Sequence, residues 1–485
     1  MSSFALGPLS HRRPEYQKQN SLVVDKRGRL RFAALSRRIL ALPLEILAEI
    51  FLHSLPNDEF ISPGLSSAPL VLCGVCSCWR EVALSTPRLW NSLVLDMPLA
   101  RKRTAYVELY QSWLSRARST PISLALQDAD DGALPSTVLP LLQTVARLSP
   151  QWRNIDVDLG ANLAKILFSS EGDIDPFPLL EKLGISRHNS VAQTNLTISF
   201  CDAPKLREIF APAYNALLPM LFPWAQITRV RIGNILLYHC LEIFRNASHL
   251  VSGTFEVQDD GSALPTSILL LPHLQSLTLA GISVTDANRI PMTILDCLKT
   301  PALENLSLQF AYFYGSHAWT GAWSANWDVS PFLSFLSRSS CQLHTLALSL
   351  MPTTTETFIQ CLKATPSVVH LKLEPLQVVD RTTMFAQLTA DAAFLPKLET
   401  LDIFSSKHTG FVRVDSAVII KMLDWRWAGV DIAQLRSFRM LQTHEPRTFD
   451  STAHPECRRL EQEGMILSCG VKQESFQESI GLRSF

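Results

Sequence analysis

The chain has 485 residues, 47% of them apolar and only 18% charged, a composition that belongs to folded protein and excludes the low-hydropathy, high-charge class of disordered chains. Lys plus Arg and Asp plus Glu balance at 44 each, so no net field points to nucleic acid or to an anionic membrane surface. No run of eighteen apolar residues occurs and no secretory signal is visible, which predicts a soluble protein of the cytoplasm and/or nucleus.

Residues 1–38 carry the main charge asymmetry. Nine basic residues, from Arg12 to Arg38, stand against Glu15 and Asp25, leaving the remainder at 35 minus 42, or net minus 7. Such a segment reads as a solvated, disordered basic arm.

Leu42 to Trp90 follows with two helical patterns, LPLEILAEIF and VCSCWREVALSTPRLW. Pro43 suits a first helical turn, where the N–H it lacks has no intrahelical partner, and Glu45 lies near the positive end of the helix dipole. Ile46, Leu47, Ile50 and Phe51 then form one apolar stripe, and Leu72, Val75, Cys76, Trp79 and Ala83 a second. Thr86-Pro87 ends the second pattern, because the residue before proline is pushed out of the helical region.

This segment, taken as 39–92, resembles the F-box in the variant common in fungal proteins. The likeness is carried by Leu42, Pro43, Glu45, Ile46, Leu47, Ile50, Phe51, Val75, Cys76, Trp79, Arg80, Ala83, Thr86, Pro87, Leu89 and Trp90. The resemblance implies a three-helix unit docking the Skp-type adaptor of a cullin-RING ubiquitin ligase through Leu42, Pro43, Ile46, Leu47, Ile50, Phe51 and Trp79. On that reading, replacing Leu47 and Ile50 together by Ala abolishes adaptor capture and leaves the circular dichroism spectrum nearly unchanged. A Pro-, Gly- and Ser-containing stretch from Pro56 to Ala68 departs from the usual pattern by lengthening the connection between helices. The competing reading makes 42–90 the helical end cap of a larger domain, its stripes buried at home.

The ten cysteines are scattered and suggest no disulfide framework. Cys73-x-x-Cys76-x-Cys78 begins like a zinc half-site but lacks a second spaced pair, so Cys76 reads as a small buried hydrophobe of the second stripe.

From Leu89 onward an apolar phrase recurs at i, i+3 and i+5. Its clearest copies are Leu180-Leu183-Ile185, Leu274-Leu277-Leu279, Leu303-Leu306-Leu308, Leu343-Leu346-Leu348, Val368-Leu371-Leu373 and Leu398-Leu401-Ile403. Weaker copies are Trp152-Ile155-Val157, Leu206-Ile209, Ile227-Val230-Ile232, Leu435-Phe438-Met440 and a blurred one near Phe255-Val257, with Leu93-Leu95 and Ile122-Leu124-Leu126 as earlier strands. Steps of mostly 21 to 30 residues, with wider ones of 40 and 37, match leucine-rich-repeat spacing. Segments such as TETFIQCLKAT and AVIIKMLDWRW between the phrases carry helical patterning.

Residues 93–472 therefore resemble an irregular leucine-rich-repeat solenoid, an α/β horseshoe of about thirteen turns. It closes with a helix over Pro455 to Glu463, Leu460 inward, and a strand around Met465 to Leu467. The last residues, 473–485, read as a frayed tail. Asn is missing after the phrase, where Gln309, Glu374 and Phe404 stand instead, so the solenoid is expected to be irregular. A parallel-sheet α/β enzyme would give similar alternation.

The 40-residue step holds an aromatic insertion with Tyr312, Phe313, Tyr314, Trp319, Trp323 and Trp327 among Gly and Ser. Aromatic side chains on a loop supply large contact area at low entropy cost, which makes Tyr312, Tyr314, Trp319, Trp323 and Trp327 candidates for binding a target protein. The bland reading packs them on the adjacent helix. No HExxH, phosphate-binding glycine loop, GxSxG elbow or kinase set occurs, and no catalytic residue, cofactor or metal is expected. The expected function is that of a ligase adaptor, with a Skp-type adaptor, a cullin and an unknown target protein as partners. The alternatives are an adaptor-bound scaffold acting outside ubiquitination and a repeat-fold enzyme.

Overall fold

A computed structural model describes residues 42–128, 134–158, 160–168, 177–186, 198–212, 220–282, 290–311, 328–349, 354–374, 380–405, 415–429, 432–442, 449 and 451–471. The basic arm, the aromatic insertion Tyr312 to Trp327 and the tail 473–485 lie outside them. The chain divides into two compact units, one reaching Val94 and including Leu109–Thr120, the other comprising Leu95–Glu108 and everything from Pro121.

The first unit is helical. Helices α1 (Leu44–His53), α2 (Leu70–Val75) and α3 (Ser77–Ser85) are followed by a 3-10 turn at Pro87–Leu89. Its interior is aromatic. Trp90 and Trp113 meet edge to face with centroids 4.9 Å apart. Their indole N–H groups donate to the carbonyls of Ala83 (2.8 Å) and Ser92 (3.1 Å), so neither buried donor is left without a partner. Arg116 lays its guanidinium over Trp90, 4.5 Å from the ring centre.

The second unit is α/β and holds thirteen whole strands, and the last two residues of β1, of a fourteen-stranded sheet laid out in chain order. Its strands are β1 (Ser92–Asp96), β2 (Ile122–Gln127), β3 (Trp152–Asp158), β4 (Lys182–Ser186), β6 (Glu208–Ala211), β8 (Arg229–Leu236), β9 (Ser252–Gln258), β11 (Ser276–Ile282), β13 (Asn305–Ala311), β14 (Thr345–Ser349), β15 (His370–Leu373), β16 (Thr400–Ser405), β17 (Ser437–Gln442) and β18 (Ile466–Val471). The two-residue strands β5 (Ile198–Ser199) and β7 (Met220–Leu221) pair apart from it, as do β10 (Leu269–Leu270) and β12 (Leu298–Lys299). A doubly wound enzyme sheet reverses its strand order at the point where ligands bind. This order never reverses, which is compatible with a solenoid-like stacking of one turn on the next.

The repeated phrase explains the register. Leu277, Leu306, Leu346, Leu371, Leu401 and Phe438 stand opposite one another across successive strands, and Leu279, Leu308, Leu348, Leu373, Ile403 and Met440 form a parallel row two residues on. All twelve are buried. Side chains alternate along a strand, so i+3 and i+5 of each phrase share one face, and no turn can bury that face without its neighbours. Full burial of each leucine contributes roughly 1.5–3 kcal/mol.

The blurred copy is displaced from its expected position. Register places Gly253, not Phe255, opposite Leu277, and Phe255 opposite Leu279. A Cβ on Gly253 would lie 2.6 Å from the Phe255 ring, so the phenyl group occupies the space the missing side chain leaves. Backbone ties join neighbouring turns at the entrance of several strands. Thr228 O accepts from both Val251 N and Ser252 N, Val251 O from Gln275 and Ser276, and Glu304 O from His344 and Thr345, all at 2.8–3.1 Å.

Helices separate many of the strands, among them Leu237–Asn246, Ser330–Ser339, Thr355–Lys363, Arg381–Ala390 and Ser416–Ala428. Between β4 and β8 the described residues contain no α-helix, and a column of aromatic rings that starts at Phe177, before β4, runs through this part of the core. Phe177 and Phe200 are 5.0 Å apart, Phe200 and Phe222 stack at 5.4 Å, and Phe222 meets Trp224 at 5.3 Å. Two arginines fasten helix ends. Arg338 donates to Leu295 O, Asp296 O and Leu298 O. Arg426, fully buried, donates to Leu388 O in the last turn of the helix Arg381–Ala390 and to Phe394 O and Leu395 O in the connection that follows it. The closing helix spans Pro455–Gln462, with Cys457 and Leu460 inward, ahead of β18.

Candidate functional site

Helix α1 is the first candidate surface. Pro43 sits one place before it with φ −51° and ψ 143°, and its carbonyl accepts from Leu47 N at 3.1 Å. Successive residues of a helix turn by about 100°, so i, i+4 and i+1, i+5 make two neighbouring rows rather than one stripe. The rows have different fates. Leu47 and Phe51 are 1% exposed, and Phe51 packs on Trp79 with centroids 4.9 Å apart. Ile46 and Ile50 are 50% and 46% exposed, and Leu44 is 58% exposed.

The seven expected docking residues therefore separate. Pro43, Ile46 and Ile50 are exposed, and Leu42 and Trp79 are half-buried. Leu47 and Phe51 belong to the interior of the unit, which corrects their assignment to a contact face. The double replacement of Leu47 and Ile50 is corrected with them: Leu47→Ala opens a core cavity, costing about 2–5 kcal/mol, and cannot leave the fold untouched. Leu44, Val71 and Val75 were absent from the docking set and are exposed. Leu44 stands at i to Leu47 and Phe51 at i+3 and i+7, on the buried side by spacing, and is exposed as the first residue of the helix, so periodicity carries no signal for it.

The second pattern is two helices, not one. Cys76 is extended at φ −158° and ψ 173°, and its Sγ accepts from Trp79 N at 3.5 Å, capping α3. It is half-buried at a helix boundary, not a core member of a continuous stripe. Burial raises the Cys73 thiol pKa against the opposing effect of Arg116 and Arg80. Among the described residues no group of three His, Cys, Asp or Glu side chains is placed to hold a metal ion.

The polar face of the sheet is the second candidate. On β9, β11 and β13, the residues alternating with the leucine rows are Ser252, Thr254, Ser276, Thr278, Asn305 and Ser307, all half-buried. To one side, Glu208 bridges Lys182 (3.4 Å) and Arg229 (3.0 Å). Arg231 lies over the Phe210 ring at 5.4 Å. Burial pushes the Glu256 carboxyl up and the Arg231 guanidinium down, each opposed by the charge of the other. To the other side, Lys372 reaches Glu374 at 3.1 Å, and Ser349 Oγ donates to the same carboxylate at 2.9 Å. Arg439 holds both oxygens of Asp402, its Nε donating at 2.7 Å. The side-chain hydrogen bond to Asp402 keeps the Arg439 pKa above its ordinary value. The predicted target-binding residues Tyr312, Tyr314, Trp319, Trp323 and Trp327 lie outside the described residues.

No protein-family model matches the chain, and no curated protein matches it. Among solved structures it is similar to a crystal structure of a Bacteroides fragilis protein, at 10% identity over 79% of this chain and 74% of that one. The TM-score is 0.22, too low to carry an argument about fold or function. No helix among the described residues is long and apolar enough to cross a membrane.

Proposed function

We propose that the chain is a non-catalytic substrate-recognition subunit of a Skp-cullin-F-box ubiquitin ligase. Residues 39–92 act as the F-box, the sheet unit acts as an irregular leucine-rich-repeat horseshoe that binds the target, and the protein works in the cytoplasm and/or nucleus. The observation that supports this reading best is the second apolar row of α1. Ile46 and Ile50, which make up that row, face solvent on the helix that opens with Leu42-Pro43, although Leu47 and Phe51 already supply its core packing; Leu44, at the first turn, is exposed as well. Exposed apolar surface on so small a unit favours a partner. Each isoleucine contributes roughly 1.5–3 kcal/mol when a docking surface covers it fully.

The mechanism is one of effective concentration. A target held on one part of a chain whose other part is tied to the ligase core meets the ubiquitin carrier as an intramolecular partner, and the transfer chemistry belongs to that carrier. The test is co-purification of the full chain, wild type and Ile46→Asp/Ile50→Asp, with a Skp-type adaptor and a cullin. Capture of both partners by wild type alone supports the reading. Adaptor without cullin supports a scaffold acting outside ubiquitination, and capture of neither returns α1 to an end cap.

A further inference from the structure

Two arginines of the sheet unit are buried among the described residues, Arg426 and Arg381, and only the first is matched. Arg426 spends its guanidinium on three backbone carbonyls. Arg381, the first residue of the helix Arg381–Ala390, is 7% exposed, yet among the described residues it makes no hydrogen bond, ion pair or ring contact. Burial lowers its pKa, and no carboxylate raises it back. A guanidinium withdrawn from water without a partner is costly, and a fold that keeps one holds an unspent fork of hydrogen-bond donors. Arg426 is sealed at 0% exposure, whereas Arg381 keeps contact with solvent.

The helix sets the direction of this side chain. Arg381 shares the inward stripe with Met384, Phe385 and Leu388, at i+3, i+4 and i+7. Side chains lean toward the N-terminus of their helix, so the guanidinium of a first residue reaches into the space beyond the helix end. The start of a second helix lies beside it: Asp380 N donates at 2.9 Å to the Oγ1 of Thr355, the first residue of the helix Thr355–Lys363. Two helix N-termini with their partial positive charge are thereby joined next to an unmatched cation. Asp380 opposes them, but its carboxylate is exposed, is spent on the Thr382 N–H and the Thr383 hydroxyl, and forms no ion pair with Arg381.

We infer that Arg381 anchors an oxyanion site at this helix end, taking a phosphate or carboxylate group whose paired oxygens match its fork, a site that goes beyond the ligase reading and does not depend on it.

The test is thermal unfolding of the full chain at constant ionic strength, with sodium chloride replaced stepwise by inorganic phosphate or by acetate. A ligand held only by the folded state raises the midpoint progressively with its concentration. Phosphate also stabilises folded proteins by exclusion from their surface, an effect that every variant shares, so the site is read from the difference between wild type and variant. The wild-type midpoint is expected to climb with phosphate, acetate or both, and the anion that acts identifies the group the site takes. Arg381→Met deletes an unmatched buried charge, so it should melt higher than wild type in chloride and lose the specific rise. Arg381→Lys, which keeps the charge without the fork, should weaken the apparent dissociation constant by about tenfold. Asp380→Asn, which keeps a capping side chain and removes the opposing charge, should tighten it by about threefold or more. An equal rise in wild type and Arg381→Met, or no rise with either anion, overturns the inference. So does an Arg381→Met chain that melts lower in chloride, which would give the guanidinium a structural partner of its own.

Discussion

The first unit and the sheet unit use apolar residues differently. Of the fifteen large apolar side chains exposed among the described residues, six (Leu44, Ile46, Ile50, Leu65, Val71 and Val75) lie in the short first unit, and the other nine are spread over the much longer second. On the strands, nearly every apolar side chain of the phrase is consumed by the turn before and the turn after. On α1, six large apolar side chains serve a unit that buries only Leu47 and Phe51 among them. Exposed hydrophobic residues scattered singly call for no explanation, but a row of them on one helix beside an already formed core does.

That contrast can be broken at graded points. The largest effect belongs to the leucine rows. Leu306→Ala should cost about 2–5 kcal/mol in chemical denaturation, whereas Ser307→Ala, one residue away on the polar face, should stay within about 0.5 kcal/mol. Equal costs at the two positions would contradict the register.

Next comes Arg426, whose pKa burial holds down to about 10. Arg426→Met removes three hydrogen bonds to backbone carbonyls, of which Leu395 O keeps the one from Leu398 N, and should cost about 2–4 kcal/mol. Arg426→Lys should recover only part of it, because an ammonium cannot reproduce the planar fork. A thermal scan in which Met is tolerated would make the clamp incidental.

A smaller effect is expected at Asp380, which caps the helix Arg381–Ala390 by accepting from Thr382 N at 2.9 Å and from the Thr383 hydroxyl. These bonds, led by the one from Thr383, lower its pKa below the ordinary aspartate value. A carboxyl lowered in the folded state stabilises above its unfolded pKa, and that stabilisation is lost as pH falls through the folded value. Asp380→Ala should therefore cost about 1 kcal/mol near neutrality and progressively less in acid below the ordinary aspartate range. A cost independent of pH would remove the carboxylate from the cap.

Much of the sheet could be read in the sequence, because period two along a strand and a fixed step between phrases leave only one register in which all the leucines are buried. The copy at Gly253 was misplaced for a physical reason. A glycine in a leucine row carries no apolar signal, and Phe255 fills the gap from two residues away. The aromatic column from Phe177 to Trp224 and the carbonyl clamps of Arg338 and Arg426 depend on residues brought together from different turns, which local pattern does not encode. On α1 the apolar positions were legible but their division was not: Ile46, Leu47, Ile50 and Phe51 look alike in sequence, and tertiary packing, seen in the contact of Phe51 with Trp79, decides which row goes inward.

The division of α1 is the central claim, and paired measurement of adaptor affinity and melting temperature tests it most directly. Titration of a Skp-type adaptor into full-length Ile50→Glu and Leu47→Ala should separate the two. Ile50→Glu should melt like wild type and lose at least about a hundredfold in affinity, while Leu47→Ala should melt lower as a cavity mutant. Wild-type affinity in Ile50→Glu would contradict the account and leave the exposed row without a function.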